Sequence, residues 1–165
     1  MTTDDDVTPG RPEALRFLSG IILVSADAAG LAEFYRDVLG VPLAAEQHGD
    51  TEPHWGCELG DVHFAIHSTA DYPGEPTGTG AVKIALMVFD LDSLVDGLTA
   101  RGVELLYPPA EFGAQSWITA IRDPDGNTVE LTQLGPSWLD HLRKNRARGG
   151  DLIATWSTRI GQPMA

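Results

Sequence analysis

The sequence predicts an α+β fold made of two similar modules, each a strand, a helix and three further strands in the order βαβββ. Three observations predict it. Val24 to Val41 and Val88 to Val103 run through one succession of valine, aspartate, amphipathic helix, glycine and valine, a little over 60 residues apart. An apolar, strand-like run precedes each helix. Late in the chain, SWITAIRD and NTVELTQ flank Pro124, Asp125 and Gly126, where proline presets one turn torsion and glycine supplies a positive φ, so a tight hairpin is expected.

Each element follows in order. Residues 1–13 (MTTDDDVTPGRPE) hold almost nothing that can be buried and read as a flexible tail before a domain over 14–134. Module one spans 17–72. Its first strand lies in FLSGIILVS, and Leu31, Phe34, Tyr35, Val38 and Leu39 then recur at helical spacing up to Gly40. A polar connection carrying His48 and His54 reads as a solvated loop of the kind that closes over a cleft. WGCELGDVHFAIHS breaks at Gly60 and Asp61 and reads as a hairpin, with Val62, Phe64 and Ile66 alternating on one side. Module two spans 81–134: VKIALMVFD is a strand, and LDSLVDGLTARG is a helix closed by Gly102. Each small sheet hides one face on its own helix, which leaves the opposite faces for a shared cleft. Residues 135–165 read as a C-terminal helical extension. Pro136 and Ser137 open the helix, Trp138, Leu139 and Leu142 form a stripe, and Arg143, Lys144, Arg146 and Arg148 offset its dipole. Leu152, Ile153 and Trp156 are too apolar for a free tail and are expected to pack on the core or on a second subunit.

Composition narrows the function. At 165 residues and 42% hydrophobic content the chain can bury a core. A net charge of -13 opposes nucleic acid and acidic lipid surfaces as partners. No apolar run approaches the roughly 20 residues of a membrane helix. The single cysteine, Cys57, excludes an internal disulfide, and no apolar run follows a basic patch at the N-terminus, so the cytoplasm is the expected compartment.

The strand ending in aspartate, the helix reading LAEFYRDVLG and the late DPDGNTVEL hairpin resemble the vicinal oxygen chelate superfamily, the glyoxalase, bleomycin resistance protein and extradiol dioxygenase family, over roughly Phe17 to Leu134. The resemblance implies the two-module fold and a homodimer, but it spans isomerases, dioxygenases, thiol transferases and drug-sequestering proteins, so the site must decide the function. In metal-dependent members four residues, one on each of four strands, hold a divalent metal. Here the resemblance places Gly20, fourteen residues before Phe34, at the first position and Lys83 at the third. Glu130 stands at the fourth. Alternation sends Val62, Phe64 and Ile66 inward and His63, Ala65 and His67 to the cleft, which makes Ala65 the second, or Phe64 if the match slips by one residue, and neither side chain binds a metal. Glycine and alanine offer no donor and a protonated lysine repels a cation, so no metal cofactor is expected.

Two readings of the site follow. In the first, the protein binds a small aromatic or polycyclic molecule without metal, for sequestration, resistance or acid–base transformation. Lys83 and Glu130 then form a salt bridge where the cation would sit, or Lys83 acts as a desolvated amine of lowered pKa. His67, Glu130 and Lys83 are the candidate catalytic groups, and His63, Met87, Trp55, Trp117 and Phe112 the candidate ligand contacts. In the second, a lyase, isomerase or dioxygenase recruits one divalent metal through His63, His67 and Glu130. Cys57 reads as a small buried hydrophobe, with no basic neighbour in sequence to lower its pKa.

Overall fold

Asp27 and Asp90 set the start of each module's helix. In a computed structural model that describes residues 18, 20–47, 53–60, 62–74, 82–137 and 140, the Asp27 side chain accepts the Gly30 N–H at 3.0 Å and Asp90 accepts that of Ser93 at 3.0 Å. Each carboxylate satisfies one of the amides that a helix leaves unpaired at its N-terminus. The expected tail over 1–13, His48 and the C-terminal extension beyond 140, with Leu152, Ile153 and Trp156, lie outside the described residues. The chain divides between residues 77 and 78 into two compact units.

The first unit holds β1 (Gly20–Ser25), α1 (Ala28–Glu33), a π-helical turn (Phe34–Val38), β2 (Ala44–Glu46), β3 (His54–Leu59) and β4 (Val62–Ser68). The second holds β5 (Lys83–Met87), α2 (Leu91–Ala100), β6 (Leu105–Gly113), β7 (Ser116–Arg122) and β8 (Thr128–Gln133). The sheet orders, β1-β4-β3-β2 and β5-β8-β7-β6, are the same arrangement twice. In each, the first and last strands of the module pair in parallel and the other neighbours are antiparallel. A parallel pair needs a crossover, and the helix is that crossover.

Packing follows the alternation of each strand. Tyr35 of the π turn and Phe64 of β4 are both buried, with ring centroids 5.2 Å apart, which identifies the helix-covered face of the first sheet. Leu23, Phe64 and Ile66 share that face with buried Leu31 of α1. Each such fully buried side chain contributes roughly 1.5–3 kcal/mol. In the second sheet Ile84, Val129 and Leu131 are buried beside Leu91 and Leu98 of α2. The Leu91 N–H donates to Oε1 of Gln133 at 2.7 Å, which ties the start of α2 to the end of β8.

The helix ends differ in one respect. Gly102, at φ +73°, closes α2 with Gly102 N–H bonded to the Thr99 carbonyl and Val103 N–H to that of Leu98. This is the Schellman arrangement. Gly40, at φ +72°, closes the first helix with each span one residue wider, Gly40 to Arg36 and Val41 to Tyr35. Gly40 lies thirteen positions after Asp27, whereas Gly102 lies twelve after Asp90. The π turn takes up the additional residue.

Candidate functional site

Strand pairing fixes which side chains share the uncovered face of each sheet. In the first unit, Gly20 pairs with His63, Ile22 with Ala65 and Val24 with His67, while β3 sets His54, Gly56 and Glu58 on the same side. His63 Nδ1 lies 2.8 Å from Glu58 Oε1. His67 stacks on His54 with centroids 4.2 Å apart and planes within 11°, and its Nδ1 lies 3.3 Å from Asp71 Oδ2. Tyr72 meets His67 edge-on at 5.2 Å, and His54 Nε2 is 3.5 Å from Glu46 Oε2. His54, expected in a solvated loop, is instead 4% exposed at the start of β3. The hairpin explains this: with the turn at Gly60, Leu59 faces Val62, and counting outward brings His54 opposite His67.

In the second unit the uncovered face carries Lys83, Ala85 and Met87 of β5, Glu130 of β8, and Ala120 of β7, which is Glu130's partner. Tyr107 of β6 pairs with Ala120. Lys83 Nζ and Glu130 Oε2 form the salt bridge expected of them. The expectation of a desolvated lysine with a lowered pKa is corrected. Lys83 is exposed, and its hydrogen bond to Glu130, the charge of Glu130 and, more weakly, Tyr107 raise its pKa above the ordinary 10.5. A folded pKa raised in this way makes the ion pair's contribution complete below the ordinary lysine range and lost as pH climbs through the raised value.

The two modules share one register. Ile22, two residues after Gly20, pairs with Ala65, and Ala85, two residues after Lys83, pairs with Glu130. Ala65 is therefore the structural counterpart of Glu130, as alternation suggested. The DPDGNTVEL segment is the device that brings Glu130 into place. Asp123 accepts the Asn127 N–H at 2.8 Å and the Asn127 amide at 3.0 Å, and Gly126 at φ +82° closes the turn.

Other expected contacts fall elsewhere. Trp55 pairs with Ile66 and Trp117 with Gln133, so both lie on the helix-covered side, opposite the histidines and Glu130 respectively. Phe112 lies exposed near the end of edge strand β6, and Met87 is exposed on the uncovered face. For the alternative metal set, His63 is held by Glu58, His67 by Asp71 and Glu130 by Lys83. Among the described residues no three His, Cys, Asp or Glu side chains are placed to hold a metal. Burial, Glu58 and Glu46 raise the pKa of Cys57, the reverse of a reactive thiol.

Residues 18–131 match the profile of the Glyoxalase/Bleomycin resistance protein/Dioxygenase superfamily. The chain belongs to this superfamily. A lactoylglutathione lyase of Arabidopsis thaliana is 31% identical over 74% of the chain and 45% of its own length. The chain spans about half the length of such plant relatives. Among solved structures, a Salmonella typhimurium virulence protein superposes with TM-score 0.58 at 21% identity, over 73% of this chain and 98% of that one. An antibiotic-binding protein from a Streptomyces species superposes with TM-score 0.56 at 23% identity, over 73% and 97%. Among the described residues no helix is long and apolar enough to cross a membrane.

Taken within each unit, the residues that the resemblance assigns to metal ligation are poor donors. Gly20 and Ala65 bring no donor atom, Lys83 brings a positive charge, and Glu130 is paired with that lysine.

Proposed function

We propose that the protein binds a small molecule with a flat apolar body without the superfamily's metal ion, either sequestering it or transforming it by acid–base chemistry. The observation that carries this reading is the Lys83–Glu130 ion pair, in which an ammonium group takes the place of a cation's charge beside the single surviving carboxylate. Met87, two positions beyond Ala85 on β5, and Tyr107, the β6 partner of Ala120, are exposed on the same face and offer apolar surface to a flat ligand. The same fold serves an antibiotic-binding protein, so binding as an end in itself is within its range. Within the first unit, His67 and His63 are the candidate proton-transfer groups. Each has one ring nitrogen oriented by a carboxylate.

Elemental analysis of the purified protein, with ligand binding measured before and after chelator, tests the reading. Less than a tenth of an equivalent of transition metal, and binding unaffected by chelator, are the expected results. One equivalent of tightly held metal whose removal abolishes binding would establish the metal-dependent alternative instead.

A further inference from the structure

The Lys83–Glu130 pair presents a hydrogen-bond donor and an acceptor side by side. An ammonium carries three N–H donors and a carboxylate has acceptor sites to spare, so each keeps capacity for a ligand after meeting the other. The pair is exposed enough on the lysine side to reorient at little cost. Exposed Ala85 and Met87 continue the same side of β5, and Tyr107 stands on the far side as the partner of Ala120. The pair is internally neutral. The whole chain carries -13, which disfavours an anion, and Lys83 already satisfies the charge of Glu130 against a competing cation.

We infer that this face selects a neutral, planar molecule that carries a hydrogen-bond donor next to an acceptor on one edge, as a lactam does. The ligand carbonyl accepts from Lys83 Nζ, its N–H donates to Glu130, and its ring lies against Met87 and Tyr107. The inference rests on the metal-free binding reading and adds the chemistry of the edge that is recognised.

Three probes of similar size separate the alternatives: 2-quinolone, with donor and acceptor; N-methyl-2-quinolone, with the donor blocked; and 2-naphthoate, an anion. Affinities are measured by calorimetry on the full chain. The methyl NMR signals of Ala85 and Met87 report where each probe binds. The expected order places 2-quinolone first, with the other two weaker by on the order of tenfold or more. Lys83→Met brings 2-quinolone down towards its N-methyl analogue, and a thermal melt confirms that the variant is folded. Tyr107→Ala weakens both quinolones alike. Tightest binding by 2-naphthoate, equal binding by all three, or binding by none overturns the inference. Repeating the 2-quinolone titration after chelator separates the two readings. Binding lost with the metal refutes the metal-free reading, whereas binding retained without edge preference refutes only the inference.

Discussion

Phe64 and His67 stand three residues apart on β4 and face opposite ways, so they test the phase of the whole strand. Phe64 is 1% exposed against Tyr35, and Phe64→Ala should cost about 3 to 5 kcal/mol. His67 is on the uncovered face, yet it is not a bystander, because it stacks on His54, meets Tyr72 edge-on and is held by Asp71. His67→Ala should cost less, roughly 1 to 2 kcal/mol, through lost packing and an orphaned Asp71. Urea denaturation of the two variants checks the order, and equal losses would mean that the two faces are misassigned. The sides taken by His63, His67 and Glu130 were legible from period-two alternation alone. The partners of the histidines were not, because Glu46 and Glu58 reach them only through the β2–β3 and β3–β4 registers, and Asp71 only through the turn that follows β4. Tyr107 was hidden for a related reason. Pro108 and Pro109 follow it, and the β6–β7 register slips on both sides of it.

At the scale of elements, the first helix and the second differ by one residue between capping aspartate and closing glycine, and the π turn absorbs the difference. Phe34, Tyr35, Val38 and Leu39 keep a spacing that suits an α-helix, so the wider turn was legible only by counting one module against the other. Short β2, three residues long, lacked any periodic signal, and the prolines of β6 argue against a strand except at a sheet edge, where it lies. The π turn makes a distinct prediction. Deleting Asp37, an exposed residue inside it, should let the first helix close as the second does, with a melting temperature within a few degrees of the parent. Deleting exposed Asp96 from the regular α2 should rotate everything after it by about 100°, remove Leu98 from the core and unfold the module. Thermal melts followed by circular dichroism distinguish these outcomes, and equal damage from both deletions would show that the π turn is required in its own right.

At the scale of the whole molecule, duplication made the fold readable, since a motif too weak alone gains weight when it recurs in order. The same scale governs association. Phe89 is fully exposed just beyond β5 and Val82 is exposed just before it, so large apolar side chains stand open at both ends of this edge strand. Single exposed apolar side chains are ordinary, but a pair of them on one edge suits a self-complementary contact. We therefore expect a homodimer that uses this segment. Two chains of net charge -13 also repel each other, so association should strengthen as salt rises and the screening length falls from about 30 Å at 0.01 M to about 8 Å at 0.15 M. Light scattering at micromolar concentration should give twice the 17.7 kDa of one chain at physiological salt, with a smaller mean mass at low salt. Phe89→Asp should shift the population to monomer without lowering the melting temperature of the isolated chain, because its ring contributes nothing to the monomer's core. A monomeric mass for the parent protein at every salt concentration would reject the dimer, and a dimer unaffected by Phe89→Asp would place its interface on another surface.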